Sequence, residues 1–268
     1  MNPALPPSWR DERDRPVEVP DPPAADAPAF YLPIGEFQGA DYRRNAFAAG
    51  TVEEIGALWE LAAMTAGTRV LDVGCGDGRH LRALASRGVE GTGVDVSPAL
   101  IDAARAAPDG SDVEWLIGDA RRLGEVLGDR AGGYDVAWSL CQGALGTSPV
   151  TDPDVVRDLA SAVRPGGVVI CTFFSALFAA RHLAPGDAFD PVHLVHHQPA
   201  EVRGPDHTRS TFSLWTASYT VRDAVRLFTD AALVVERVHG VEPGAYGRRG
   251  PGEVGLDDPE ILVVGRRS

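Results

Sequence analysis

Short apolar runs alternate with helical patterns through most of the chain. The first run, Val70 to Val73, is followed by a helical segment that ends near Gly88, and the alternation then repeats. Further strands are predicted at residues 91–96, 113–117, 134–140 and 168–174, with helical segments between them. Five strands separated by helices predict a parallel sheet that helices cover on both faces.

A glycine-rich turn joins the first predicted strand to the helix after it. Gly74, Gly76 and Gly78 stand at alternate positions there, where the missing side chains let a ligand approach the backbone. The helix that follows presents free N–H groups at its N-terminus, which suits a nucleotide. Taken alone, such a turn is also compatible with a purely structural tight turn.

Acidic residues end the second and third predicted strands. Asp95 follows Gly74 at about the 20-residue interval at which a carboxylate binds the ribose hydroxyls of an adenine nucleotide. Asp119 ends the third strand, where it can accept a hydrogen bond from the adenine amine or cap the helix that begins at Ala120. Both acids therefore favour an adenine-containing ligand beside the glycine turn.

The composition excludes several classes of protein. A net charge of −13 argues against a general affinity for nucleic acid. All 25 basic residues are arginine, so neither a lysine Schiff base nor a P-loop lysine is available. Three cysteines form no paired zinc spacing, and no membrane span or signal peptide is recognisable. We expect a cytoplasmic protein with reduced thiols, no membrane partner, and a monomeric or homodimeric state.

The ordered motifs resemble those of the class I S-adenosylmethionine-dependent methyltransferases of the small-molecule type, over about Leu58 to Arg267. Val70 to Gly78 is similar to the first motif of that family, and its GxGxG pattern differs from the GxGxxG of dinucleotide enzymes. Asp95 resembles the ribose-binding acid of the family, and Asp119 with Ala120 resembles its adenine-contacting pair. Arg164 to Gly167 resembles the turn before the fifth strand.

This resemblance implies a Rossmann-like α/β fold with a seven-stranded, mostly parallel sheet whose last strand is antiparallel. The sequence offers the two further strands at residues 233–238 and 261–265. We expect a flexible Pro-rich arm at residues 1–29, an N-terminal helical cap at 30–66, and a methyltransferase domain at 67–268. An insertion at residues 175–219, after the fifth strand, is expected to form a lid over the substrate.

The resemblance also implies S-adenosyl-L-methionine as the cofactor. The residues expected to bind it are Tyr42, Arg44, Asp72, Gly74, Cys75, Gly76, Asp95, Val96, Asp119, Ala120 and Leu140. Tyr42 and Arg44 belong to the cap, where they can instead serve only surface packing. Cys75 is interpreted as a small residue that fits the turn and not as a nucleophile.

The insertion carries the candidate catalytic residues. A histidine near its usual pKa suits the removal of a proton from a nucleophile, so we predict a base among His193, His196 and His197, with Glu201 as a further candidate. The same three histidines could bind a metal, but their spacing brings the side chains together only in a helix. Since a loop or strand is expected here, we predict no metal site. Alternating residues from Val202 to Tyr219 predict two strands joined through Gly204 and Pro205.

The substrate is narrowed by subtraction. After the fourth strand the chain reads Ser139-Leu140-Cys141-Gln142, unlike the Asn-Pro-Pro-Tyr type that resembles base or glutamine methylation. With the acidic charge, this favours a small metabolite, and we hypothesise one from specialised metabolism. The alternatives are a methyltransferase-like protein that binds the cofactor without transferring methyl, and a nicotinamide-dependent oxidoreductase.

Overall fold

The computed structural model describes residues 31–44, 50–110, 112–141 and 143–268, so the predicted arm at 1–29 lies outside the described part. The strands are β1 (Arg69–Val73), β2 (Glu90–Asp95), β3 (Glu114–Ile117), β4 (Tyr134–Ser139), β5 (Val163–Phe174), β6 (Ala188–Asp190), β7 (Val195–Arg203), β8 (Arg209–Ala217), β9 (Leu233–Val241) and β10 (Glu260–Arg267). The helices are α1 (Tyr31–Gln38), α2 (Thr51–Leu61), α3 (Arg79–Ala85), α4 (Pro98–Ala106), α5 (Leu123–Leu127), α6 (Asp152–Ala162), α7 (Ala176–Arg181) and α8 (Val221–Asp230).

Seven of the strands form one sheet in the order β3-β2-β1-β4-β5-β10-β9. Neighbouring strands from β3 to β5 are parallel, whereas β10 is antiparallel to both β5 and β9. The Rossmann-like α/β fold with a mostly parallel sheet and an antiparallel last strand is therefore confirmed. The ends of β1, β2, β4 and β5 meet at one edge, where ligands bind in open α/β sheets.

Helices begin where the sequence supplies caps. The Ser97 side chain accepts a hydrogen bond from the Leu100 N–H, and proline follows at the first position of α4, as its Ser-Pro start predicts. Thr220 and Asp223 form a reciprocal capping box at the start of α8. These caps fix the points at which the chain leaves the sheet edge.

Two layers of apolar side chains bury the two faces of the sheet. Because side chains alternate along a strand, Val70 and Leu71 of β1 contribute to opposite layers. The layer that contains Val70 packs against α2 through Ile55 and Leu58. The other layer packs against α6 and α8. The described helices include none that is both long and apolar enough to cross a membrane.

Residues 175–219 form α7 and a second, three-stranded sheet in the order β6-β7-β8. The predicted turn through Gly204 and Pro205 does join two antiparallel strands, but the first strand begins at Val195, before the predicted start at Val202. The sequence pattern missed α7 and β6. This small sheet contacts α1, since the rings of Phe37 and Phe212 lie 5.6 Å apart. Its base contacts the loop after β4, because the Ala217 N–H donates to the Gly146 carbonyl at 2.8 Å.

Candidate active site

The turn after β1 depends on its glycines. Gly74, Gly76 and Gly78 have φ values of +77°, +58° and +75°, which side-chain-bearing residues rarely adopt. A Cβ atom on Gly74 would lie 2.0 Å from the backbone carbon of Gly143, and one on Gly78 would lie 2.1 Å from the Trp115 ring. The backbone of the loop after β4 therefore packs directly on the turn.

Asp95 connects the end of β2 to the glycine turn. Its carboxylate accepts hydrogen bonds from the Gly76 N–H at 2.8 Å and from the Ser97 N–H at 2.9 Å. Burial raises the pKa of Asp95 to about 6, although these N–H groups favour the ionised form. Each oxygen keeps a further lone pair, so the carboxylate remains able to accept hydroxyl donors. Val96 is the residue between Asp95 and Ser97 in the chain.

Asp119 has local partners at the end of β3. Its side chain accepts hydrogen bonds from the Arg121 backbone N–H at 2.9 Å and from the Arg121 guanidinium, and it caps a 3-10 turn that starts at Ala120. These bonds hold the pKa of Asp119 below its usual range. The cap that the sequence allowed is thus present, and the predicted contact of Asp119 and Ala120 with adenine stays a prediction.

The N-terminal segment reaches over the glycine turn through Tyr42. A Cβ atom on Gly76 would lie 3.1 Å from the Tyr42 ring, so the ring covers this part of the turn. Burial and the nearby Asp95 carboxylate raise the pKa of the Tyr42 hydroxyl, which keeps its proton at neutral pH. The side chain of Arg44 is outside the described part, and its predicted role stays a prediction.

One cleft collects much of the predicted cofactor site. Its lining includes six of the predicted residues: Tyr42, Asp72, Gly74, Cys75, Gly76 and Leu140. Burial raises the pKa of the Cys75 thiol, in accord with a packing role. Asp72 is buried, and its Oδ2 atom has no hydrogen-bond partner among the described residues. The sequence did not single out Arg79, His80 or Cys141, which line the same cleft.

A buried carboxylate from α2 holds two of these additional residues. Glu54 is 0% exposed and forms an ion pair with the Arg79 guanidinium. Its oxygens also contact His80 Nε2 at 2.8 Å and accept a hydrogen bond from the Gly244 N–H at 2.7 Å. Although burial opposes it, the bonds from His80 and Arg79 hold the pKa of Glu54 below its usual range. An acid beside Ile55 on the apolar face of α2 is the sequence signal for this cluster.

Cys141 follows β4 in a left-handed conformation, with φ of +50°. Its N–H donates to the Thr172 hydroxyl at 2.9 Å, and its sulfur lies 2.7 Å from the Tyr246 hydroxyl. The Arg79 guanidinium donates to the same sulfur at 3.4 Å. Burial raises the pKa of the Cys141 thiol, so it remains protonated and is a poor nucleophile.

The structure does not bring the four predicted catalytic residues together. His193 is exposed in a turn, where Nδ1 contacts Asp190 at 2.6 Å. Glu201 is exposed and pairs with Arg209 across the hairpin. Because side chains alternate along β7, His197 and Glu201 share one face and His196 lies on the other. These four candidates therefore do not share one face, and the prediction of a base among them stays a prediction.

His196 alone of the four shares a strand face with Phe212, the residue that contacts α1. Its Nε2 lies 3.0 Å from Asp187 Oδ2, and both side chains are largely buried. His197 stacks against Trp215 instead, with the ring centroids 4.3 Å apart. Within the described ranges, no three His, Cys, Asp or Glu side chains are placed to hold a metal ion.

Residues 70–167 match a family model described as a methyltransferase domain. The matched segment contains the glycine turn, Asp95 and Asp119, and it lies within a sheet of the expected strand order. The chain therefore carries a domain of the class I S-adenosylmethionine-dependent methyltransferases, and the resemblance inferred from its motifs is confirmed. Proteins of this class use S-adenosyl-L-methionine as their methyl donor.

The most similar proteins include other methyltransferases. The chain is 40% identical over 123 residues to a ubiquinone biosynthesis O-methyltransferase of Bordetella avium, which covers 45% of this chain and 47% of that protein. It is 31% identical over 127 residues to a malonyl-[acyl-carrier protein] O-methyltransferase of Serratia marcescens, covering 47% and 45%. The chain spans about half the length of the curated relatives it matches.

Among solved structures, the CcbJ methyltransferase from Streptomyces caelestis superposes with a TM-score of 0.69. The match covers 87% of this chain and 97% of that chain at 21% identity. At this identity, the likeness shows a shared fold.

Proposed function

We propose that this protein transfers a methyl group from S-adenosyl-L-methionine to an oxygen, nitrogen or carbon atom of a small molecule. The observation that carries the proposal is the single cleft at the end of β1 and β4, in which six residues expected from the motifs line one space. As in the sequence-based hypothesis, a specialised metabolite is the proposed kind of substrate.

The cleft fits the cofactor on its own chemistry. The missing side chains of Gly74 and Gly76 leave the turn open to a ligand, and the Asp95 carboxylate has acceptor capacity for the ribose hydroxyls. The buried Asp72 Oδ2 accepts no hydrogen bond from the described residues, and His80 Nδ1 lies 3.9 Å from it, so it suits the ammonium group of the methionine part. When bound there, the cofactor supplies a methyl group activated by a positively charged sulfur.

The substrate is proposed to bind between the loop after β4 and the small sheet. Gly143 packs on the glycine turn, and three residues later the Gly146 carbonyl accepts a hydrogen bond from Ala217 of β8. This contact supports a substrate position between the small sheet and the proposed methionine end of the cleft. A covered space of this kind suits a small organic molecule and excludes water from the reacting atoms.

His196 is the proposed contact of the small sheet with the substrate. Asp187 accepts a hydrogen bond from its Nε2, which fixes the ring and leaves Nδ1 as an acceptor in the neutral form. We propose that His196 orients a polar group of the substrate. A role of His193, His197 or Glu201 as the base stays a prediction: His193 and Glu201 are exposed, and the His197 ring packs on Trp215.

The proposal is tested by the formation of S-adenosylhomocysteine. The purified protein is incubated with S-adenosyl-L-methionine and panels of small phenols, amines and carbonyl acids, with RNA and protein as comparison substrates. We expect product with at least one small molecule, and compounds with a hydroxyl or carboxyl oxygen are the first choice because the two curated relatives named above are O-methyltransferases. Cofactor binding without product on any panel would favour the non-catalytic alternative, and methylation of RNA or protein alone would refute a small-molecule substrate.

Asp95→Asn should weaken S-adenosylhomocysteine binding by about 1–3 kcal/mol in calorimetry at pH 7.5, because a carboxylate acceptor is lost. Since the pKa of Asp95 is about 6, wild-type affinity should also fall as the pH drops through that value and the carboxyl becomes protonated. The variant should lack this dependence. Asp102→Asn, on the exposed surface of α4, is the control. An unchanged affinity for Asp95→Asn would remove this residue from the cofactor site.

A further inference from the structure

Glu260 is a buried acid that is not among the residues proposed to bind the cofactor. It is the first residue of β10, opposite Phe174 at the end of β5, and it is 2% exposed. The Thr172 side chain forms a hydrogen bond with its carboxyl group. Its Oε2 atom is buried and has no hydrogen-bond partner among the described residues. A buried polar atom without a partner is rare, and a bound ligand is one way to satisfy it.

The position of Glu260 follows from the strand order. Asp95, the proposed ribose contact, ends β2, and Cys141, which lines the cleft, follows β4. The next two strands in that direction are β5 and β10. Neighbouring strands lie about 4.8 Å apart, so Glu260 lies about 10 Å beyond β4, two strands from Cys141 in the cleft lining.

A short chain of contacts joins Glu260 to the cleft. The Cys141 N–H donates to the Thr172 hydroxyl, and Thr172 in turn bonds Glu260. The charge of Glu260 also raises the pKa of the Cys141 thiol, and the charge of Arg79 lowers the pKa of Glu260. Both Cys141 and Arg79 line the cleft. Glu260 therefore belongs to the same electrostatic environment as the methionine end of the cofactor site.

We propose that Glu260 Oε2 accepts the proton of the substrate's nucleophilic N–H or O–H group during methyl transfer, an inference that rests on the proposed function. The nucleophile's bond to hydrogen breaks, and the proton passes to Oε2. The same nucleophile forms its bond to the methyl carbon while the sulfur–methyl bond breaks, and sulfur keeps that electron pair. The substrate N–H or O–H also supplies the hydrogen-bond partner that Oε2 lacks.

The surroundings of Glu260 suit this role. Burial and, to a smaller extent, Glu54 of α2 raise its pKa, the Thr172 bond and Arg79 of α3 lower it, and the net pKa is about 7. The other titratable groups that face it are Cys141 and Tyr246, both of which stay protonated at neutral pH. An acceptor whose pKa lies near the working pH is effective in proton transfer. Activity limited by this group should rise as the pH increases through about 7.

The test compares two cofactor analogues in calorimetry. Sinefungin replaces the sulfonium and its methyl group with a carbon that bears a primary amine, so it places a cation where the methyl group would be. S-adenosylhomocysteine has neither. At pH 8 we expect the wild-type protein to bind sinefungin at least 10-fold more tightly than S-adenosylhomocysteine. This preference should shrink towards pH 6, because Glu260 takes up a proton and loses its charge.

Glu260→Gln keeps the size of the side chain and removes its charge. We expect it to lose the preference for sinefungin while its affinity for S-adenosylhomocysteine stays within threefold of wild type. Glu260→Asp, which keeps a carboxylate one methylene shorter, should retain part of the preference. Glu236→Gln on β9, where Glu236 pairs with Arg266, is the matched control and should retain all of it. With a substrate from the panel, Glu260→Gln should lower kcat at least 100-fold and abolish the rise of kcat/KM with pH near 7.

Three outcomes would overturn the inference. A preference for sinefungin that persists in Glu260→Gln would show that another group faces the methyl position. If Glu260→Gln bound neither analogue although its melting temperature was unchanged, Glu260 would only support the structure of the cleft. Retention of kcat within threefold would exclude proton transfer. Failure of the wild-type protein to bind either analogue would instead refute the proposed cofactor site.

Discussion

Glu54→Ala is expected to lower the free energy of unfolding by about 3–5 kcal/mol, because removing one partner of a buried ion pair leaves the other charge uncompensated. Glu54 is fully buried, and its loss removes the anionic partner of Arg79 and the carboxylate that contacts His80 and the Gly244 N–H. Urea unfolding at pH 7.5 measures the effect. Glu53→Ala, one residue earlier on the exposed face of α2, should change stability by about 0.5 kcal/mol or less.

The effect of Glu54→Ala should depend on pH with a definite sign. Because the folded state holds the pKa of Glu54 below its usual range, the carboxylate stabilises the fold above the unfolded pKa of about 4.3. That stabilisation is lost as the pH falls through the folded value. The difference between wild type and variant should therefore narrow below about pH 4, and a difference that is constant down to pH 3 would contradict the ion-pair explanation.

Gly74→Ala is expected to abolish cofactor binding and to destabilise the domain. The left-handed backbone alone costs a side-chain-bearing residue about 1–2 kcal/mol. The new Cβ would also lie 2.0 Å from the Gly143 backbone, so the loop after β4 must move, at a further cost of about 1–3 kcal/mol. Calorimetry with S-adenosylhomocysteine and urea unfolding measure the two effects.

Gly67→Ala separates backbone strain from overlap. Gly67 has φ of +83°, like Gly74, but a Cβ there would meet no atom within 4 Å. We expect this variant to show the strain alone, with cofactor affinity unchanged. If the two variants lose equal stability and both bind the cofactor, the contact between Gly74 and Gly143 has no energetic weight.

The sheet and the cofactor turn could be predicted because their signals are local. The apolar run before Gly74, the glycines themselves and the Ser97-Pro98 helix start each report their own conformation. Asp95 was found through its distance along the chain from the turn, and its carboxylate does bond the Gly76 N–H. Such features depend on a few neighbouring residues, so one sequence is enough to reveal them.

The polar cluster around Glu54 could not be predicted in the same way. Its members come from α2, α3 and the connection between β9 and β10, and the bond from Gly244 to Glu54 spans 190 residues. Glu260 shares this property, since its neighbours are known only once β10 is placed between β5 and β9. Burial of an ionisable group is a consequence of three-dimensional packing, for which the sequence offers only the charge on an apolar face.

The arrangement of the histidines in the insertion could not be predicted for a different reason. His196 and His197 were both named as candidates for the base, although neighbours on a strand point to opposite faces. The strand was predicted to begin at Val202, so the alternation was not applied to these residues. A correct start at Val195 would have separated them from the sequence alone.

The ends of the insertion meet at one point on the main sheet. The Tyr219 N–H donates to the Phe174 carbonyl at 2.7 Å, and the Ala176 N–H donates to the Tyr219 carbonyl at 2.9 Å. Because both ends are fixed at one place, we expect that the segment can be exchanged for one of different length without a change in strand order or in the cofactor cleft. If the insertion covers the substrate as proposed, chimaeras joined at residues 174 and 219 should change substrate preference and keep cofactor affinity.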